Sequence, residues 1–322
     1  MARVVDEVVN ELTDVFRKAS HKRGAHADAQ RVLEQVSRTP AFLREALEAY
    51  VPTSEALNRS NYPVIAVPIA SNPYFELVLN CWIPLPDRAT HISTKAIHHH
   101  GTMLLSTATI FGPGYEHWLF TRPRPIDEQG TRYRMELLEA AKHPLHHVAF
   151  VDAWVAHVPI YPPDPSITLA LWSDSTPTTW RDYVKRIPAL KRRDRLLRNL
   201  VVRAGLGKAL AVKVVDTHDF YPSPTGFVPM KDREEFVLGS NEDHLHSLFC
   251  FVQRTGNEHI VRDLRAKVDR LPLQNPGTVA KLADQVTSGI PVEGRLSPGH
   301  YDVPHANFTT ASIRDSLGAF EN

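Results

Sequence analysis

The sequence predicts a mainly β protein with helical additions: a small β-barrel over residues 61–235, a helical segment over 1–60 and a helical extension over 236–322. Three observations carry that expectation. Apolar residues recur at helical spacing near the start, at Val5, Val8, Val9, Leu12, Val15 and Phe16. From Asn61 to about Ser173 the texture changes to short apolar runs divided by turns, and the chain's 25 prolines favour strands and loops over a helical bundle. Within that stretch, Ile97-His98-His99-His100-Gly101 sets two histidines one residue apart.

The elements follow in order. Thr39-Pro40 opens a helix, with threonine as N-cap and proline in the first turn. Phe42, Leu43, Ala46, Leu47 and Tyr50 give that helix one apolar face, and Pro52 ends it. Residues 62–69 and 74–83 read as strands. Residues 104–111, the turn Gly112-Pro113-Gly114 and residues 115–121 read as a hairpin. Leu137 to Ala141 is either a short helical excursion or a strand end. Residues 148–158 and 166–172 read as two more strands. Residues 180–203 hold nine Lys/Arg against two Asp, and a helical insertion is expected near 177–206. Residues 210–215 return to strand texture and are expected to rejoin the barrel. Tyr221 to Gly226 is turn-rich. Helices are expected at 242–254 and 258–270, and the last fifty residues carry weak signals.

Composition narrows the function. A net charge of +1 provides no field for nucleic acid or an anionic membrane. No apolar run approaches the ~20 residues of a membrane span. The first residues, Met1-Ala2-Arg3-Val4-Val5-Asp6-Glu7, carry acids where a secretory signal is apolar. Cys81 and Cys250, both in apolar surroundings, read as buried free thiols. A cytoplasmic protein with a small-molecule partner is therefore expected. The helical additions exceed what a minimal barrel needs and offer a homodimer surface, a lid or a docking module.

Residues two apart on a strand point to one face, so His98 and His100 share a direction and His99 faces away. Imidazole suits Zn, Cu, Fe and Ni, so the pair points to a transition metal. His157, at the end of a strand, is the best candidate for a third ligand. His146 and His147 follow Pro144 in a loop. His117 lies at the far end of the expected hairpin. His244 and His246 fall on a helix, where residues two apart diverge. Trp82, Trp118 and Trp154 are expected in the barrel core.

Leu79-Asn80-Cys81-Trp82-Ile83, Ala96 to His100, Gly112-Pro113-Gly114-Tyr115, Phe120, His157 and Ser166 to Trp172 form an ordered set. That set resembles cysteine dioxygenase and its thiol-dioxygenase relatives in the cupin superfamily. The resemblance covers roughly residues 75–175. It implies a double-stranded β-helix (cupin) barrel holding one metal, Fe(II), through His98, His100 and His157. Zn, Ni, Cu and Mn are the other divalent ions such a site takes. The cupin glutamate that follows the second histidine has no counterpart in Leu104, Leu105 and Ser106, which fits a three-histidine site. Tyr115, Tyr161 and Trp172 are the candidate catalytic residues lining the pocket, with Glu116 beside them.

The departures are also specific. The late strand has Ala170 and Trp172 where thiol dioxygenases carry a His and a Tyr. The arginine that holds the substrate carboxylate falls near Ile65, with Arg59 out of register. The resulting expectation is a mononuclear non-haem iron oxygenase of a small molecule using O2, with a substrate larger or less charged than cysteine. The alternatives are metal-dependent lyase, isomerase or hydrolase chemistry in the same barrel, or a non-catalytic metal-binding cupin with a partner-docking extension.

Overall fold

The N-terminal apolar periodicity becomes three packed helices and a short fourth: α1 (Val4–Lys18), α2 (Lys22–Ser37), α3 (Pro40–Tyr50) and α4 (Ser54–Leu57). Pro40 sits in the first turn of α3, as expected. The computed structural model describes residues 3–60, 64–84, 96–176, 218–230, 240–295 and 308–319. The expected insertion at 177–206, the basic segment 180–203 and the strand at 210–215 lie outside these residues.

Among the described residues thirteen strands follow: β1 (Val64–Ser71), β2 (Glu76–Trp82), β3 (Ile97–His99), β4 (Met103–Phe111), β5 (Tyr115–Phe120), β6 (Arg124–Pro125) and β7 (Tyr133–Arg134), then β8 (Leu137–His143), β9 (Val148–Val151), β10 (Ala156–Ile160), β11 (Ser166–Asp174), β12 (His218–Ser223) and β13 (Gly226–Pro229). They form two antiparallel sheets, ordered β1-β2-β11-β4-β9 and β6-β7-β13-β12-β3-β10-β5-β8. The architecture is a double-stranded β-helix barrel. The chain then closes with α5 (Asn241–Arg254), α6 (Glu258–Arg265), α7 (Pro276–Thr287) and α8 (Thr310–Gly318).

Strand alternation decides what each sheet face meets. On β11, Ile167, Leu169 and Leu171 join one large core with Leu12, Leu33, Phe42 and Leu47 of the N-terminal helices and with Leu245, Phe249 and Leu282 of the C-terminal ones. Each such side chain contributes about 1.5–3 kcal/mol by burial, so both helical groups are anchored to one sheet face. The alternate residues of β11, from Ser166 to Trp172, are thereby turned to the barrel interior. His26 of α2 is fully buried between sheet and helix, 2.8 Å from Ser106 Oγ and 2.9 Å from Ser173 Oγ. A second core of Ile97, Trp118, Phe120, Val158 and Phe220 covers the outer face of the eight-stranded sheet.

Three expectations need correction: the hairpin, the single strand over 148–158 and Trp154 as core. Residues 104–121 are not a hairpin: β4 pairs with β11 and β9, whereas β5 pairs with β10 and β8. Gly112 and Gly114 both have positive φ, and added Cβ atoms would overlap the carbonyl oxygens of Pro165 and His143. The glycine turn therefore carries the chain from one sheet to the other. Residues 148–158 are two strands, broken at Trp154, which has φ 66°. Trp154 is thus a half-buried turn residue rather than core. Tyr221 to Gly226 spans the turn of the β12–β13 hairpin, and the last fifty residues contain α7 and α8. Leu137 to Ala141 is strand, the edge strand β8. Cys81 and Cys250 are buried and free. Among the described residues no helix is long and apolar enough to cross a membrane.

Candidate metal centre

His98 on β3 pairs directly with His157 on β10, so the two side chains leave the same face of the sheet. The third histidine, His100, follows the end of β3, two residues on. The three offer ligand nitrogens that all lie within 4.8 Å of one another. Ring centroids are 4.7 Å apart for His98–His100, 4.4 Å for His98–His157 and 5.1 Å for His100–His157. An ion bound at about 2.0–2.1 Å places its nitrogens roughly 3–4 Å apart. The set therefore stands close to a liganding geometry.

Hydrogen bonding prepares the imidazoles for an ion. His98 Nδ1 lies 2.9 Å from the Ala96 carbonyl and His157 Nδ1 lies 3.4 Å from that of Val155. A carbonyl only accepts, so both Nδ1 atoms carry the proton. In a neutral ring that arrangement makes Nε2 the nitrogen that carries the lone pair, the one a metal would take. Both carbonyls belong to the residue two positions before the histidine, so the backbone that orients each ligand is local. The residues present fit a transition ion bound by three neutral nitrogens.

One side of the site is apolar. Leu105, Val151 and Ala170 form one buried cluster with Leu119, Val155 and Trp172 packed on it. Trp172 stands edge-on to His100 with centroids 4.7 Å apart. Leu104, Leu105 and Ser106 occupy the expected carboxylate window, and Ser106 turns outward to His26. Among the described residues no Asp, Glu or Arg is buried. His99 points the other way, as expected: it is buried on the outer face, and its Nδ1 accepts from Gly101 N at 3.2 Å.

The remaining candidates divide. Tyr115 and Tyr161 are buried and meet Trp82, Tyr115 stacked at 5.4 Å and Tyr161 edge-on at 5.3 Å. Tyr115 lies 3.3 Å from the Thr107 hydroxyl, and burial pushes its phenol up to about 12. Glu116 turns to the opposite face, where it accepts from Trp118 Nε1 at 2.6 Å. Arg59 donates to the Tyr50 hydroxyl at 2.7 Å and the Ala66 carbonyl at 2.6 Å, so it is committed to the fold. His244 is bonded to the Ala56 carbonyl at 2.8 Å, away from the barrel interior.

Sequence reasoning missed His117 and His143. The assumed hairpin placed His117 at a distance from His100, but the sheet-crossing turn brings β5 beside β10. His117 pairs with Pro159 and stands edge-on to His157, with centroids 5.2 Å apart. It is fully buried, and burial, with His157 and His143 adding, holds its imidazole well below its usual value. Its alternation with Leu119, directly opposite His157, was the available signal.

Neither a family model nor a curated relative matches the sequence. Solved structures match over about a third of the chain. One is a conserved protein with a double-stranded β-helix domain from Klebsiella pneumoniae, at 13% identity, covering 38% of this chain and 81% of that one, with a TM-score of 0.25. Another is hydroxypropylphosphonic acid epoxidase from S. wedmorenis, at 15% identity, covering 34% of this chain and 50% of that one, with a TM-score of 0.21. A structure of DMSP lyases is matched at 15% identity, 34% and 47% coverage and a TM-score of 0.21.

Proposed function

We propose that this chain is a mononuclear non-haem iron oxygenase of a small-molecule substrate. His98, His100 and His157 are its metal ligands. The observation that carries the reading is the convergence of three imidazoles beside an apolar cluster, with no carboxylate among the described buried residues. Divalent iron, when bound, supplies open coordination positions at which a substrate and dioxygen meet.

The chain's own contribution is orientation and exclusion of water. Ala96 and Val155 carbonyls hold two ligand rings in one tautomer. Trp172, Leu105 and Leu119 shield the site. The three ligands are neutral, so compensating negative charge has to arrive with the substrate. An anionic sulfur- or nitrogen-bearing metabolite with an apolar body fits these walls. Cysteine fits poorly: among the described residues its ammonium and carboxylate find no buried Asp, Glu or Arg, and Arg59 is already engaged.

The test is oxygen uptake by iron-loaded protein with a panel of small sulfur- and nitrogen-bearing acids. The reading expects substrate-dependent, iron-dependent O2 consumption. Turnover of any panel member without O2 consumption would contradict it and point to lyase, isomerase or hydrolase chemistry.

A further inference from the structure

The imidazoles continue past the three ligands. Below His157 stands His117, and His143 stands edge-on to His117 at 5.2 Å. Tyr115 closes a triangle, 5.5 Å from His117 and 5.1 Å from His143. Tyr115 and His143 face each other across β5 and β8, and His117 is two residues along from Tyr115, so all three share the inner face of the sheet. The ring spacings, 5.1–5.5 Å, are slightly wider than the 4.4–5.1 Å within the His98–His100–His157 set.

Two of these groups lack what a buried polar atom normally has. His117 is 2% exposed and His143 4%. The Nδ1 atom of each is out of contact with solvent and without a hydrogen-bond partner. Orphaned buried polar atoms are uncommon, and two in ring contact point to a missing ligand. With no buried acid or arginine among the described residues, a charged organic group has no counter-ion here. Two unpartnered imidazole nitrogens, beside a phenol whose hydroxyl lies 3.3 Å from the Thr107 hydroxyl, are donors suited to a borderline transition ion. Exposed His147, stacked on His143 at 4.6 Å, extends the row to the solvent side.

We propose that His117, His143 and Tyr115 form a second site for a nitrogen-preferring divalent transition ion, one strand position below the first. Two dications this close repel strongly where the described residues bring no buried carboxylate. The sites are therefore alternatives, and the second fills when the first is disabled.

The experiment is a Co(II) titration of the full chain carrying His98→Ala, His100→Ala and His157→Phe, the last keeping a ring for His117 to pack on. The proposal expects one Co(II) per chain, seen by ligand-field absorption, and its loss when His117→Phe and His143→Phe are added. No bound Co(II), or binding that survives the added substitutions, would overturn it. If the multiple variant does not fold, His98→Ala alone, with and without His117→Phe/His143→Phe, gives the same comparison. The chain bearing only His117→Phe/His143→Phe reports on the first site alone. Loss of metal there counts against the proposed function and not against this site.

Discussion

Acidification should destabilise this protein through buried histidines, and His26 allows the effect to be isolated. Its imidazole is wholly buried between α2 and the sheet, with a serine hydroxyl at each ring nitrogen. Burial lowers its pKa from 6.5 to about 4, Lys22 adds to the lowering, and Asp152 works against it. The folded pKa is depressed for a base, so between pH 6.5 and 4 the unfolded chain binds a proton that the native state refuses. Stability is then complete above pH 6.5, falls through that window and levels off below about pH 4. The shift corresponds to about 3 kcal/mol for this one group. His26→Phe keeps the ring among Phe16 and Phe150 but strands the Ser106 and Ser173 hydroxyls, a pH-independent cost of about 1–3 kcal/mol. Urea unfolding from pH 7.5 to 4 separates the two effects. The variant is less stable at pH 7.5, and its loss on acidification is smaller by about 3 kcal/mol. His244 and His143, also lowered to about 4 by burial, continue to titrate in the variant. Equal acid losses in the two proteins would refute the reasoning.

Other substitutions test other links. Gly114→Ala combines a positive φ with overlap of the His143 carbonyl, so a loss of about 2 kcal/mol or more in urea stability is expected. Arg59→Met removes the hydrogen bonds to Tyr50 and Ala66; it lowers stability by about 1–3 kcal/mol and leaves metal content by elemental analysis unchanged. His99→Phe, on the outer face, keeps full metal content, and a loss of metal would show that the strand faces are misassigned.

The three-histidine cluster was partly legible because residues two apart on extended chain share a face, which brings His98 and His100 together although β3 itself ends at His99. His157 was picked out as the end of a strand over 148–158; it lies instead at the start of β10, where it pairs with His98. The helical ends were legible from apolar spacing in α1 and from Thr39-Pro40. The sheet assignment of β4 and β5 was not, because Gly-Pro-Gly signals a reversal equally for a hairpin and for a crossing between sheets. Only Pro165 and His143, far along the chain, decide between them. The same long-range contact hid His117. The break at Trp154 also ran against local signals, since a tryptophan at positive φ goes against its own preference and is held by the 2.8 Å bond from its N–H to the Gly101 carbonyl.

Iron per chain, measured after anaerobic loading of the wild type and of His98→Ala, His100→Ala and His157→Ala, tests the central claim most directly. The account predicts about one tightly held ion in the wild type and a sharp fall in each variant, because each removes one of three converging nitrogens. Full iron retained in all three variants would contradict it.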